Sequence, residues 1–561
     1  MFKNGFYITV FFFFLQLIPC SAQNNDLIEN AARELKIRGE VYFRFIITEI
    51  YSVQDFSEIL SVTAIKSDTI YAFANENQFN NFLRHNIPFD LLVPPSLQYK
   101  PHQILKNTAG TIWQTYPAYQ QYLNMMNNWA QNFPGLCSLI EIGEGNGGHK
   151  ILALKISDNV QTDENEPEVF FTSSIHGDEP SGFVLMLRLI DYLLTNYDTD
   201  NQISYLVDNA EIFINPLANP DGTYFLSDTS VYGAKRFNLN NVDLNRDFPV
   251  PGEGETAALQ PETQQMISFM KERKIILSAN FHDGAEVVNY PWDIWSKLHP
   301  DNEWYIRLSE QYADTAHKYA APGYMDDLNN GITNGYAWYQ ITGGRQDYVN
   351  YYLHGREVTI ELTENRFPEG GELEDLWVYN KNSLVNYLYN CFTGISGMVT
   401  DSLTGMPLEA QIFINNHDFD NSCVYSDGKT GVFYRLANSG NYIITVSSDG
   451  YDAKIFGVNV PETGFVIQDT RLNRSNYNLM ILPNPFAEKI RIFVTDTALS
   501  DIKITLTDMA GKIVMNRNIV IFPPDIIEID AGTISNGVYV IYVSGESGVW
   551  KSKIIKIPPN R

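Results

Sequence analysis

Two short segments of the chain carry side chains that could bind one metal ion together. In the first, His176 and Glu179 are three residues apart, where a predicted strand gives way to a predicted helix. In the second, His282 ends another predicted strand. Imidazole and carboxylate groups are suitable zinc ligands, and open α/β sheets assemble their sites at the carboxyl ends of strands. Two histidines and one glutamate, with a fourth position open, therefore predict a catalytic zinc ion.

This pattern is weak by itself, because a surface histidine beside a helix-starting glutamate is common. Several further motifs accompany it in a fixed order: His176-Gly177-Asp178-Glu179, Asn219-Pro220-Asp221-Gly222, Asp243-Leu244-Asn245-Arg246, Asn289-Tyr290-Pro291, Trp338-Tyr339-Gln340 and Thr359-Ile360-Glu361-Leu362. With these motifs the region from Gly110 to Phe392 resembles the zinc carboxypeptidase family, in particular its regulatory branch, which includes carboxypeptidases N, E, M and D.

The resemblance implies a role for the residues of the proposed metal site. His176, Glu179 and His282 would hold one Zn²⁺ ion per catalytic domain, together with a water molecule. Glu361 would be the general base, which takes a proton from this water and delivers it to the leaving amine.

Four further residues match positions that handle the substrate in this family. Arg236 matches the arginine that stabilises the developing oxyanion. Asn245 and Arg246 match the pair that binds the terminal carboxylate of the substrate, for which the planar fork of arginine is well suited. Tyr339 matches the mobile tyrosine that closes over this carboxylate. Because an internal peptide bond offers no carboxylate, these contacts would make the enzyme an exopeptidase.

Asp293 carries the expectation about specificity. It matches an aspartate that selects C-terminal Arg or Lys in the regulatory branch, where a carboxylate at the floor of the pocket pairs with a cationic side chain. Gln346 also resembles that branch. Arg345, however, stands where the branch usually has methionine, and its positive charge near the pocket argues against a basic preference.

The bulk composition agrees with an exported soluble enzyme. The chain has 561 residues and a formal net charge of −27, from 66 acidic and 39 basic residues. This charge argues against a nucleic-acid partner and favours neutral or cationic ligands. Its length predicts several domains rather than one.

Residues 1–23 are predicted to be a signal peptide. Lys3 precedes an apolar stretch from Phe6 to Ile18, and Ser21-Ala22-Gln23 offers a cleavage site. The stretch is too short to span a membrane, and no later segment is long enough, so no transmembrane segment is expected after cleavage. The remaining cysteines, Cys137, Cys391 and Cys423, make no disulfide framework, although one bridge from Cys137 to Cys391 stays open.

The catalytic domain is predicted to span residues 106–392 and to belong to the α/β class, with a mixed sheet and helices on both faces. Its predicted strands are Ile151–Ile156, Val169–Ile175, Glu211–Asn215, Ile275–Phe281 and Glu357–Leu362. Its predicted helices are Tyr116–Asn132, Ser181–Thr195 and Gln260–Glu272.

Residues 24–105 precede it as a small α+β unit with a linker. Strands are predicted over Glu40–Tyr51 and Ile59–Phe73, and a helix over Glu76–His85. Its place directly after the signal peptide favours a prosegment over an accessory domain.

Two all-β domains are predicted after the catalytic domain. Residues 393–473 resemble the transthyretin-like sandwich that follows the catalytic domain in the regulatory branch. Residues 474–561 resemble the C-terminal sorting domain of type IX secretion, through Leu482-Pro483-Asn484-Pro485-Phe486, Asp508-Met509-Ala510-Gly511 and Gly537-Val538-Tyr539-Val540. This second resemblance implies the type IX machinery as a partner, and export to the surface or surroundings of a Gram-negative bacterium.

Together these features predict a secreted zinc metallocarboxypeptidase that hydrolyses the C-terminal bond of peptides or proteins, with a preference for Arg or Lys. One alternative is a zinc deacylase on the same scaffold, acting on N-acyl amino acids or cell-wall peptides. Another is a non-catalytic surface binding protein. The Asn245-Arg246 pair disfavours the first alternative, and an intact Glu361 disfavours the second.

Overall fold

The computed structural model describes residues 20–47, 50–100, 112–255, 258–474, 479–494, 501–521, 525–545 and 548–558. Most of the predicted signal peptide therefore lies outside the described residues. The chain forms two compact units, Met1–Pro94 and Pro95–Arg561. In the described part of the chain, no helix is long and apolar enough to cross a membrane.

The described residues of the first unit form a four-stranded antiparallel sheet, in the strand order β2-β3-β1-β4, and three helices. Its elements are α1 (Cys20–Arg38), β1 (Val41–Ile46), α2 (Val53–Ser57), β2 (Ser61–Lys66), β3 (Thr69–Ala74), α3 (Glu76–Leu83) and β4 (Phe89–Leu91). The run predicted as strand over Ile59–Phe73 is a hairpin, because Ser67 adopts a left-handed turn conformation with φ 56°.

The second unit begins with an α/β domain. Its helices are α4 (Pro95–Gln98), α5 (Tyr119–Asn132), α6 (Ser181–Asn196), α7 (Asn201–Val207), α8 (Pro220–Thr223), α9 (Pro261–Lys271), α10 (Asn302–Tyr319), α11 (Asp327–Gly331), α12 (Gly335–Trp338), α13 (Arg345–Tyr352) and α14 (Gly371–Tyr389). Its strands are β5 (Cys137–Glu144), β6 (Lys150–Ile156), β7 (Glu168–Ser173), β8 (Glu211–Asn215), β9 (Ile275–His282), β10 (Glu286–Tyr290), β11 (Ile332–Asn334) and β12 (Arg356–Leu362).

These strands form one eight-stranded mixed sheet in the order β11-β10-β12-β9-β7-β8-β6-β5. Its centre is parallel, because β12 pairs with β9, β9 with β7 and β7 with β8 in the same direction. The pairs β10–β12, β6–β8 and β5–β6 on either side of this centre are antiparallel, whereas the edge pair β10–β11 is parallel. The predicted mixed α/β fold is thus confirmed, and the predicted strands and helices of this domain differ from those observed by up to three residues at their ends.

Both faces of this sheet are buried. Along β7, Val169 and Phe171 belong to one apolar cluster, whereas Phe170 between them belongs to another. The first cluster includes residues of α5, α6, α10 and α14, and the second includes residues of α9 and α13. Successive side chains of a strand point to opposite faces, so continuous apolar runs are what a sheet covered on both sides requires.

The rest of the second unit is all β, as predicted, and forms two sandwiches. The first sandwich contains β13 (Gly394–Asp401), β14 (Gln411–Ile414), β15 (Val424–Tyr425), β16 (Val432–Leu436), β17 (Gly440–Ser447), β18 (Lys454–Val460), β19 (Phe465–Ile467) and β20 (Thr470–Leu472). The second contains β21 (Leu479–Leu482), β22 (Lys489–Val494), β23 (Asp501–Asp508), β24 (Ile513–Val520), β25 (Asp525–Asp530), β26 (Gly537–Gly545) and β27 (Gly548–Lys556). In each, aliphatic residues from two sheets share one core.

Cys137, Cys391 and Cys423 are buried free thiols, so the bridge from Cys137 to Cys391 that the sequence left open is absent.

Candidate active site

His176 and Glu179 are presented by the tight loop that joins β7 to α6. Ser174 begins this loop with a left-handed backbone, φ 56°, and its hydroxyl donates to the backbone oxygen of Glu179 at 2.9 Å. Gly177 must be glycine, because a Cβ atom there would lie 2.4 Å from the backbone carbon of Gly222. The loop therefore turns both candidate ligands toward the carboxyl end of the sheet.

His282 comes to the same place from the next strand. It ends β9, which pairs in parallel with β7. The Nδ1 atoms of His176 and His282 lie 2.9 Å and 2.8 Å from Oε2 of Glu179, and the ring centroids are 4.8 Å apart. All three side chains are buried, and their ligand atoms lie within 4.8 Å of one another.

The outer nitrogens of both histidines have partners that fix the ring orientations. Nε2 of His176 lies 3.0 Å from Oδ1 of Asp243, and Nε2 of His282 lies 2.8 Å from the amide group of Asn280. Such partners are typical of metal-binding histidines. Burial lowers the pKa of His282 to about 4, so its imidazole is neutral at physiological pH, as a metal ligand must be. These residues fit a zinc ion.

The second oxygen of Glu179 contacts two arginines. Arg236 donates to Oε1 at 2.5 Å, and Arg366 lies 2.9 Å from the same atom and 3.1 Å from Asp178. Burial alone would raise the pKa of Glu179, but the interactions with His176, Arg366 and Arg236 hold it well below its ordinary value. The carboxylate is thus kept ionised in a buried place. Arg366 was not predicted from the sequence.

Glu361 lies beside the histidines because of strand register. It is the residue of β12 that pairs with His282 of β9. Its Oε2 atom is buried and has no hydrogen-bond partner in the part of the chain that the structure describes. Burial, and then the charge of Glu179, raise the pKa of Glu361 well above its ordinary value. An unpartnered carboxylate with a raised pKa is suited to accepting a proton.

Asn245 and Arg246 lie in a short 3-10 helix, Leu244–Arg246, which Asp243 caps through the backbone N–H of Asn245 at 2.9 Å. The Arg246 guanidinium donates to the backbone oxygen of Asn245 at 2.9 Å, while its Nε is buried without a partner. Tyr339, just after α12, is buried as well, and burial raises its pKa to about 12 despite the nearby Arg246. It therefore remains a hydrogen-bond donor.

Asp293 is 3% exposed and is held by two amides. Its Oδ1 accepts from Nδ2 of Asn289 and from Nε2 of Gln346, both at 3.0 Å. No lysine, arginine or histidine nitrogen of the described chain lies within 4.0 Å of it. Gly335 packs so tightly that a Cβ atom there would lie 1.8 Å from Oδ1. Burial raises the pKa of Asp293 to about 6.

Arg345 does not place its charge in this pocket unmatched. Its guanidinium is buried and lies 2.8 Å from Oε2 of Glu357. The positive charge expected from the sequence to oppose a basic substrate is therefore paired with a carboxylate of β12.

Known proteins resemble this chain over the region that holds the candidate site. Residues 122–383 match the zinc carboxypeptidase family, and residues 480–557 match the secretion system C-terminal sorting domain. The chain is 33% identical to carboxypeptidase M of Mus musculus over 349 residues, which are 59% of this chain and 78% of that protein. It is 32% identical to the carboxypeptidase N catalytic chain of Rattus norvegicus over 386 residues, covering 61% and 82% of the two chains. Among solved structures, carboxypeptidase A from Helicoverpa armigera aligns with 19% sequence identity and a TM-score of 0.46. The alignment covers 62% of this chain and 95% of that protein's chain.

The chain belongs to the zinc carboxypeptidase family, and its relatives are of the regulatory type. It is a metallocarboxypeptidase, a hydrolase with a secretion sorting domain at its C-terminal end.

The structure brings the predicted residues into one region. Arg236 contacts Glu179, Glu361 pairs with His282, and the charges of Arg246, Glu361, Arg236 and Asp293 all act on Tyr339. Three residues that contact the candidate metal ligands were not predicted from the sequence. Asp243 stands in a motif that the sequence did single out, so its spacing could have suggested a role, whereas Asn280 and Arg366 carried no such signal.

Proposed function

We propose that this carboxypeptidase releases Arg or Lys from the C-termini of peptides or proteins. The observation that carries the proposal is Asp293, a buried carboxylate to which the described part of the chain brings no cation within 4.0 Å. The side-chain amide oxygens of Asn289 and Gln346, whose nitrogens donate to Asp293, are also buried and find no partner among the described residues. A guanidinium or ammonium group would supply the missing charge and the missing donors, and a buried acceptor is costly when left unpaired.

His176, Glu179 and His282 would hold one zinc ion. When bound, zinc acts as a Lewis acid and lowers the pKa of a water molecule. The chain's own contribution is to keep both imidazoles oriented through Asp243 and Asn280 and to keep Glu179 ionised.

Glu361 takes a proton from the attacking water and passes it to the nitrogen of the leaving amino acid. Its buried and unpartnered Oε2 supports this role. Arg236, which lies 3.8 Å from Asp243 and contacts Glu179, offers a fixed positive charge to the scissile carbonyl oxygen as negative charge develops there.

Asn245, Arg246 and Tyr339 bind the α-carboxylate of the substrate. The unpartnered Nε of Arg246 supports this, because a guanidinium binds a carboxylate with two parallel hydrogen bonds. Asp293 then meets the side chain of the same residue. The enzyme would thus recognise both ends of a basic C-terminal amino acid.

Export is the second part of the proposal. Residues 1–23 act as a signal peptide, and the sorting domain delivers the protein to the type IX machinery of a Gram-negative bacterium, for release or surface attachment. Residues 24–105 act as a prosegment with its linker, and residues 393–473 are a transthyretin-like domain. Within the second unit, Ser96 donates to the backbone oxygen of Ala234 at 2.6 Å, so the residues just after Pro94 pack on the α/β domain.

The proposal is tested by following release of the last residue from matched peptides that end in Arg, Lys, Phe, Leu or Glu. Protein without the signal peptide is used, with and without proteolytic removal of residues 24–94. We expect release of Arg and Lys, abolished by a zinc chelator and absent for a peptide ending in Arg-amide. Release of other residues instead would refute the basic preference. Hydrolysis of N-acyl amino acids but of no peptide would favour a deacylase. If no substrate is hydrolysed and no zinc is bound, a binding protein is favoured.

A further inference from the structure

The first three residues of α13 all contact the substrate-binding groups. The backbone N–H of Arg345 donates to Oδ1 of Asn245 at 3.0 Å. Nε2 of Gln346 donates to Oδ1 of Asp293 at 3.0 Å, and Asp347 accepts from the backbone N–H of Asp293, also at 3.0 Å. The start of this helix therefore lies between the group assigned to the α-carboxylate and the group assigned to the basic side chain.

The Arg345 side chain fastens this helix start to the sheet. It is 1% exposed, and its guanidinium donates to the hydroxyl of Thr172 on β7, to the hydroxyl of Ser278 on β9 at 3.1 Å and to Glu357 on β12 at 2.8 Å. These three strands are neighbours in the sheet. One side chain thus ties α13 to the same strands whose carboxyl ends form the site.

Stability alone gives no reason for a charged pair at this position. Replacing a buried ion pair by apolar side chains of similar volume is often neutral or stabilising, whereas removing one partner is strongly destabilising. The Glu357 side chain is fully buried, and its Oε1 has no partner. What distinguishes the pair is its position, because it holds a helix start that contacts both Asn245 and Asp293.

We propose that Arg345 is a positioning residue for substrate binding, and that its ion pair with Glu357 sets the spacing between Asn245 and Asp293. The inference rests on the substrate class proposed above. A basic C-terminal residue must reach both groups at once, so a small shift of the helix start weakens binding. Glu361 is held by β9 and β10 on either side, so the chemical step is affected less.

The test compares Arg345→Met with a matched control, Arg356→Met. Arg356 is also buried, stands next to Glu357 and pairs with Asp301 at 2.8 Å, but it contacts none of the substrate-binding groups. For a peptide ending in Arg, we expect Arg345→Met to raise KM by at least about tenfold and to change kcat by less than about threefold. Arg356→Met should lower the thermal midpoint comparably, with KM within about twofold of the parent.

A double variant separates positioning from stability. In Arg345→Met/Glu357→Gln the buried charge is removed with its partner, so the thermal midpoint should recover while KM stays high. Arg345→Lys keeps the ion pair and should bring KM most of the way back to the parent value. Both variants also serve if Arg345→Met alone does not fold.

The proposal is overturned if KM is unchanged in Arg345→Met, or if KM recovers together with stability in the double variant. A failure of the proposed substrate class would look different. In that case the parent would release residues other than Arg and Lys, and Arg345→Met should still raise KM for those peptides, because Asn245 meets every C-terminal carboxylate. An unchanged KM for them would also overturn the role of Arg345.

Discussion

Two clusters of buried charge lie in the second unit, and they differ in how completely the charges are paired. The junction cluster, where α10 and β12 meet the first sandwich, comprises Asp301, Arg356, Asp418 and Arg435. There, Asp301 lies 2.9 Å from Arg435 and 2.8 Å from Arg356, and Asp418 lies 2.7 Å from Arg435. In the active site, by contrast, the described residues offer Asp293 no cation within 4.0 Å and Oε2 of Glu361 no hydrogen-bond partner.

The pKa directions express the same contrast. Burial tends to raise the pKa of both Asp301 and Asp293. At Asp301, Arg435 and Arg356 outweigh burial and hold the pKa well below its ordinary value, whereas at Asp293 burial prevails and the pKa rises to about 6. Residue types and proximity alone do not distinguish the two clusters. Asp301, His417 and Asp418 also lie close enough together to suggest a metal site. What separates Asp293 from Asp301 is whether the buried carboxylate has an ionic partner among the described residues.

The largest expected effect is on the chemistry. Glu361→Gln removes the proton acceptor and should lower kcat by roughly 10²- to 10⁴-fold. Because the wild-type carboxylate is buried with an unpartnered oxygen, the thermal midpoint should not fall. Steady-state kinetics and thermal unfolding, with zinc content as the control, test this. If the loss of kcat is instead matched by a loss of bound zinc or of thermal stability, Glu361 has a structural role.

A substitution in the junction cluster should lower the stability of the protein and leave its activity nearly unchanged. Asp301→Asn removes the shared partner of Arg356 and Arg435 and should cost about 3–5 kcal/mol of stability. Since Asp301 touches no proposed catalytic residue, kcat/KM per folded molecule should stay within about threefold of the parent. Denaturant unfolding and kinetics on the same preparation measure both. A large loss of kcat/KM in fully folded protein would break the contrast between the clusters.

The smallest effect is a pH dependence tied to the substrate. Because the pKa of Asp293 is raised to about 6, its carboxylate is ionised above that pH and neutral below it. The value of kcat/KM for peptides ending in Arg should therefore fall as the pH drops through about 6. Peptides ending in Leu should lack this step. An identical acid limb for both substrates would assign it to another group, such as Glu361.

The class of fold could be predicted from the sequence, and the three candidate ligands that the structure brings together could be singled out, both for physical reasons. Glycine and charged residues at fixed spacing around His176 can be read directly, since the β7–α6 loop admits only glycine at position 177. Strand register cannot be read in this way. That Glu361 lies beside His282 follows from the pairing of β12 with β9, which joins residues far apart in the chain.

Side-chain direction was the other limit. The sequence placed the Arg345 charge near the pocket, but only the packing of α13 on the sheet shows that the guanidinium turns toward Glu357. Arg366 was missed for the same reason, because its contact with Glu179 depends on the course of the chain after β12.

The central claim is that the buried carboxylate of Asp293 pairs with the cationic side chain of the substrate's C-terminal residue. It is tested most directly by the ratio of kcat/KM for two peptides that differ only in ending with Arg or Leu, measured for the parent and for Asp293→Asn. We expect the parent to favour Arg and the variant to lose roughly 10- to 10²-fold of kcat/KM toward Arg while keeping its rate toward Leu, since a charge-assisted hydrogen bond contributes about 1.5–3 kcal/mol. A ratio that Asp293→Asn leaves unchanged would contradict the account.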